Sequence, residues 1–305
     1  MEHRLPFGER LAQAVASKKN PVCVGLDPRV ASLPPSLRPN DASNLTLVAS
    51  AYERFCLEVL DAVCDLVPIV KPQSAFFEEI GPDGVRALER VVRGATERGV
   101  LVIMDAKRGD IGTTATAYAS AFLGSGELGS ANYSPFGADA LTVNPFLGAD
   151  TLEPFVQRCD AVGGGLFVLV KTSNPGSAFL QDVASDNQSV SERVAKCVEQ
   201  LSQSRCGAAG YGSIGAVVGA TYPEQLAAMR EIMPHAWILI PGYGAQGGSA
   251  SDVRHGMDAQ GLGAIINSSR GIIFAYEQPR FAAPDWKHSV RNATLAMIED
   301  LAKPF

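Results

Sequence analysis

Eight short apolar runs, each ending in polar or glycine residues, punctuate this chain, and that rhythm limits its possible folds more than any other feature. The runs cover residues 21–27, 66–71, 100–107, 140–145, 165–172, 214–221, 236–241 and 264–269. Short runs of this kind read as strands buried on both faces, as in a parallel sheet. Amphipathic helical stretches at 45–64, 84–98, 113–123, 190–202, 223–232 and 249–255 separate most of them. Such alternation builds either an open doubly wound sheet or a closed (β/α)8 TIM barrel. An open sheet gathers its chemistry at one switch point, whereas a barrel points every strand end at a common mouth. Chemically loaded residues recur here at the ends of strands one, two, three, five, seven and eight, which favours the barrel. A single domain over residues 1–305 is expected, with an opening helix at 6–18 and the segment after Phe281 capping the barrel or packing outside it.

A chain of 305 residues with 46% hydrophobic and 19% charged content can bury a large core. Its net charge of -6 argues against a general nucleic-acid or anionic-membrane partner, so any anion site must be local. The six cysteines (Cys23, Cys56, Cys64, Cys159, Cys197, Cys206) form no Cys-x-x-Cys pair, and no histidine stands at metal-ligand spacing. Neither a disulfide framework nor a metal site is therefore signalled. With no apolar N-terminal region and no run long enough to span a bilayer, a cytoplasmic protein is expected.

The third run is the most informative chemically. Leu101 to Met104 lead straight into Asp105-Ala-Lys107-Arg-Gly-Asp110-Ile-Gly-Thr-Thr114. Asp105 and Lys107 are two apart, which puts both on one face of a strand. An ammonium beside a carboxylate at a buried strand's C-terminal end, with a second carboxylate after a glycine turn, forms a charge array aimed into a site. The structural alternative makes Asp105 and Lys107 a surface pair and Asp110 the N-cap of a helix starting near 111.

Strand seven ends in Pro241-Gly242-Tyr-Gly-Ala-Gln246-Gly-Gly-Ser249 and strand eight in Asn267-Ser-Ser-Arg270-Gly271. The first contains G-x-G-x-x-G, but no acidic residue closes the next strand to hold a ribose, so a dinucleotide-binding reading fails. Barrels instead bind phosphate between these two loops, where glycines let backbone N–H groups approach. Arg270 near a helix start opposes the local dipole and is explained by an anion there, with Gln246 as an uncharged donor on the closing loop.

Taken in order, Asp27, Lys71, Asp105-x-Lys107-x-x-Asp110-Ile-x-x-Thr114, Ser173-Asn-Pro-Gly176, Pro241-Gly242 and Arg270-Gly271 closely resemble the orotidine 5'-phosphate decarboxylase family. The Lys171-Thr-Ser-Asn-Pro-Gly segment is similar to the longer bacterial branch. This resemblance implies a TIM barrel that converts the small nucleotide orotidine 5'-monophosphate to uridine 5'-monophosphate without a cofactor, the last step of de novo pyrimidine synthesis. It implies a homodimer with two interface sites, to which Asp110 and Thr114 contribute across the subunit boundary. Asp27 and Lys71 would bind ribose hydroxyls, with Lys71 also touching the charge array. Asp105 would face the substrate carboxylate and Lys107 would protonate the carbon that loses it. Ser173 would bond the pyrimidine edge, Gln246 and Arg270 the phosphate, with Pro241 and Gly271 beside them. Departures from the family pattern are the lengthened loop at 28–44 and the compact strand-seven loop; those at 124–137 and 174–188 also exceed a minimal barrel's needs. Two rivals remain: a Mg-dependent sugar-phosphate decarboxylase or aldolase of the same superfamily, and a non-catalytic nucleotide-binding barrel.

Overall fold

The computed structural model describes residues 4–128, 131–220, 222–244 and 249–303. Eight parallel strands follow one another around a closed barrel in chain order. They are β1 (Val22–Leu26), β2 (Ile69–Pro72), β3 (Leu101–Arg108), β4 (Ala140–Val143), β5 (Gly165–Lys171), β6 (Ile214–Val218), β7 (Ile238–Ile240) and β8 (Ala264–Ser268). Every expected run holds a strand, most of them trimmed where their ends serve neighbours, while Pro72 and Arg108 extend β2 and β3 one residue beyond theirs. Leu66 and Val67, for example, close the turn after the preceding helix, Val67 N donating to Val63 O at 3.1 Å.

The main helices are α1 (Phe7–Lys18), α2 (Leu45–Val63), α3 (Gly81–Glu97), α4 (Gly112–Phe122), α5 (Glu153–Val162), α6 (Val190–Gln203), α7 (Pro223–Ile232), α8 (Ala250–Arg254) and α9 (Trp286–Ala302). Local chemistry sets their starts. The Asn44 side chain accepts from Thr46 N and Leu47 N at the head of α2, and Ser189 with Glu192 forms a reciprocal cap on α6. Helix α5 is an addition to the sequence reading; it begins with Pro154 in its first turn and ends at Gly163, φ 64°. Outside the barrel, α9 packs beside α2 through a two-pronged Arg291–Asp65 pair, both contacts 2.7 Å, with Trp286 stacked on Phe55.

The long loops have internal structure. Within 28–44, Leu33 and Leu37 are buried, and Arg38 Nε donates to Leu33 O at 2.8 Å. Gly126–Leu128 and Ala131–Tyr133 pair as a hairpin, as do Ala184–Ser185 and Gln188–Ser189. Asp186 and Asn187 turn the second hairpin with φ of 55° and 57°, the left-handed pair that matches strand twist.

Each strand contributes an inward side chain to one apolar plug: Cys23, Ile69, Ile103, Ala140, Phe167, Val217, Leu239 and Ile265. Helix α1 closes the plug from below with Phe7, Leu11 and Val15, Phe7 meeting Phe167 edge-on at 5.9 Å. This dry floor fixes the depth at which polar chemistry begins.

Candidate active site

Two residues further along a strand, side chains return to the same interior. That step above the plug carries Lys71 on β2, Asp105 on β3, Thr142 on β4 and Asn267 on β8, all buried. Burying ionised groups is costly unless they are paired, and here they are. Asp105 Oδ2 receives Lys71 Nζ at 2.7 Å and Gln73 Nε2 at 3.0 Å; Oδ1 receives Lys107 Nζ at 2.6 Å and Thr142 Oγ1 at 3.0 Å. One carboxylate thus organises two ammonium groups. Burial would raise the Asp105 carboxyl, but the charges of Lys71 and Lys107 outweigh it and hold the group well below the usual carboxylate range. Burial would lower the Lys71 ammonium, but Asp105 and Asp27 hold it above the ordinary lysine value.

Lys107 reaches Asp105 by an irregular route. Pairing between β3 and β4 runs from Met104↔Leu141 to Arg108↔Val143, so residues 105–107 of one strand oppose Thr142 alone. Within this bulge Lys107 has φ 49°, in the left-handed region. Its amide donates to Thr142 Oγ1 at 2.9 Å, and its ammonium turns back onto Asp105 while remaining half-exposed at the mouth. Beyond it, Arg108 pairs with Glu78 and lies over the rings of Tyr118 and Phe122 at 5.7 Å and 5.4 Å.

Asp27 is half-buried at the end of β1 and lines a cavity of about 480 Å³ with Gln73 and Lys107. Its Oδ1 is buried and, among the described residues, without a hydrogen-bond partner. Ser173, just past β5, lies against β6: a Cβ on Gly219 would fall 2.8 Å from the Ser173 Cβ, so glycine lets the two strand ends close up. Asp110 is not drawn to Lys107 within the chain. Its Oδ1 accepts from Ile111 N at 2.7 Å, outside α4, whose N-cap position is Ile111 itself. The capping alternative therefore does not describe it. Thr114 is exposed on α4.

At the far side of the mouth, Pro241 and Gly242 follow β7, Gly242 with φ 97°. Arg270 is exposed on the helical turn Arg270–Ile273 after β8. With Gly271, Tyr243 and Gly244 it lines a cavity of about 770 Å³ that shares no lining residue with the Lys107 cavity. Gln246 lies outside the described residues. Among those described, no group of three or more His, Cys, Asp or Glu is placed to hold a metal ion, and no helix is long and apolar enough to cross a membrane.

The sequence profile of the Orotidine 5'-phosphate decarboxylase / HUMPS family matches residues 20–285. The chain belongs to this family. A Rhodopirellula baltica orotidine 5'-phosphate decarboxylase is 52% identical over 302 residues, covering 97% of this chain and 99% of that protein. The Deinococcus radiodurans orotidine 5'-phosphate decarboxylase is 42% identical, covering 97% and 96%. Among solved structures, one from Streptomyces avermitilis assigned as an orotidine 5'-phosphate decarboxylase superposes with a TM-score of 0.80 at 36% identity, covering 98% of this chain and 95% of its own.

In this member of the decarboxylase family, sequence reasoning missed two contributors to the array. Gln73 and Thr142 occupy two of the four contacts to the Asp105 carboxylate. Thr142 had a legible signal as the one polar side chain in the run Ala140–Val143. Gln73 had only its place two residues beyond Lys71.

Proposed function

We propose that the protein decarboxylates orotidine 5'-monophosphate to uridine 5'-monophosphate, the last step of de novo pyrimidine synthesis, with residues 1–305 acting as one barrel domain in the cytoplasm. The carrying observation is the Lys71–Asp105–Lys107 array, held at 2.7 Å and 2.6 Å at the barrel mouth. The six free cysteines fit a reducing compartment.

When the C6–carboxylate bond breaks, CO2 leaves without the bonding pair, which remains on C6 in the plane of the ring. No neighbouring carbonyl can take it up as an enolate, so electrostatics must carry the step. The Lys107 ammonium stabilises that pair and then gives it a proton. Asp105 aims Lys107 and keeps it charged, and Lys71 holds Asp105 ionised from the other side. A cation about 4 Å from the carbanion contributes about 4 kcal/mol at an effective dielectric near 20. Difficult reactions need reductions of order 20 kcal/mol, so binding at the distant phosphate and ribose must supply preorganisation. In this reading Asp27 binds the ribose hydroxyls, Ser173 the pyrimidine edge, and Arg270, Gly271 and Pro241 the phosphate.

A homodimer completes the site by bringing Asp110 and Thr114 of each subunit to its neighbour. Support comes from the exposed apolar side chains Ile111, Phe146, Leu147 and Phe179, which follow three adjacent strands, β3, β4 and β5. The magnesium-dependent rival needs carboxylates at neighbouring strand ends, where this chain has Gln73 after β2 and Asn144 after β4. The deciding assay follows loss of the substrate's absorbance with a chelator present. Product formation supports the proposal; inactivity on this nucleotide, with magnesium-dependent turnover of a sugar phosphate, refutes it.

A further inference from the structure

We infer that Thr142 is a positioning residue whose hydroxyl locks the β3 bulge and so sets where the Lys107 ammonium sits. The inference rests on the decarboxylase reading for its kinetic consequence and on geometry alone for its structural one.

Three residues of β3, Asp105 to Lys107, face Thr142 alone, so regular ladder pairing is interrupted where the array is built. A backbone at φ 49° persists in a lysine only when its surroundings enforce it. The Thr142 hydroxyl joins both ends of the bulge. It accepts from Lys107 N at 2.9 Å and donates its single proton to Asp105 Oδ1 at 3.0 Å. The direction is fixed, because an amide can only donate and an ionised carboxylate can only accept. The same Oδ1 takes Lys107 Nζ at 2.6 Å, closing a ring that runs from the Lys107 backbone through the hydroxyl and carboxylate to the Lys107 side-chain tip. Thr142 is buried, so its hydroxyl bonds within the protein and not to bulk water. Its position on β4 holds it fixed, with its neighbours Leu141 and Val143 buried in the core between barrel and helices.

A merely space-filling role requires shape alone, which valine supplies. A positioning role requires the donor and acceptor, which serine retains. Thr142→Val is therefore expected to lower kcat about tenfold to a hundredfold, the consequence of losing a buried hydrogen bond to a charged group. KM should stay within about threefold, because ribose and phosphate contacts are untouched. Thr142→Ser should retain kcat within about threefold, and Thr142→Ala should match valine, which excludes misfit of the second methyl as the cause. In a crystal structure of the valine variant, Lys107 should leave the left-handed region and its ammonium should lie beyond salt-bridge distance from Asp105. Equal kcat in the valine variant and wild type, equal loss in serine and valine variants, or an unchanged Lys107 backbone would each overturn the inference. Inactive wild-type enzyme overturns the decarboxylase reading instead, and the crystallographic comparison still decides the role of Thr142.

Discussion

Replacing Lys107 by alanine should separate chemistry from folding. After the change Asp105 keeps Lys71 at 2.7 Å, Gln73 at 3.0 Å and Thr142 at 3.0 Å, so both carboxylate oxygens remain bonded. The lost partner has 46% of its side chain accessible while Asp105 has only 8%, so the pair contributes somewhat more than the about 0–1 kcal/mol of a fully exposed one but less than a fully buried one. Turnover should fall much further. The roughly 4 kcal/mol of carbanion stabilisation corresponds to about three orders of magnitude in rate, and the proton donor is lost as well. Lys71→Ala is the contrast. Side chains of Lys71 and Asp105 are only 6% and 8% accessible, and removing Lys71 leaves the half-exposed Lys107 as the one ammonium on Asp105, so the loss should exceed that of Lys107→Ala and approach the roughly 3–5 kcal/mol of a broken buried pair. The assay pairs kcat and product affinity with urea denaturation for both variants. Near-wild-type turnover in Lys107→Ala, or a stability loss equal to that of Lys71→Ala, refutes the reasoning.

Arg270 is exposed, so Arg270→Ala should leave stability unchanged while raising KM about tenfold to a hundredfold, and the defect should vanish with the phosphate-free nucleoside. Asp105 is held below its ordinary range, so its contribution to stability is present above about pH 4 and lost as pH falls through the folded value. Lys71 is held above its range, so its contribution is present below about pH 10 and lost as pH rises through the folded value. Urea midpoints should therefore show no dependence on this pair between those limits; a slope at neutral pH that Asp105→Asn abolishes contradicts the assignment. Mixing inactive Lys107→Ala with inactive Asp110→Ala subunits should restore about a quarter of wild-type activity, since half of the randomly assorted dimers carry one intact site. No recovery after verified subunit exchange refutes the shared site.

The barrel was legible because burial on both faces leaves strands as plain apolar runs, and every strand from Val22–Leu26 to Ala264–Ser268 falls on a predicted run, with only Pro72 and Arg108 reaching one residue beyond theirs. Helix α5 was not, because only Phe155, Val156 and Cys159 of its ten residues are buried, too brief a pattern to read periodically. Lys71, Asp105 and Lys107 were legible as charges interrupting apolar sequence. Their three-way contact was implied by the family resemblance and not by spacing, since Lys71 and Asp105 are 34 residues apart and meet only because β2 and β3 are neighbours. The pleat argument put Asp105 and Lys107 on one face. The pair does form, but through a bulge that period-two reasoning contains no means of anticipating.

The buried Lys71–Asp105 pair is itself an argument about purpose. An apolar pair of similar volume on the inward faces of β2 and β3 would continue the plug formed by Ile69 and Ile103 and would be at least as stable. What apolar residues could not do is hold a second ammonium. Asp105 divides its oxygens, one toward the buried lysine and one toward the mouth, so the charge fixed in the barrel wall at Lys71 keeps Asp105 ionised, and Asp105 in turn aims Lys107. Stability alone gives no reason for this division, whereas placing one cation at an opening that a substrate enters requires it.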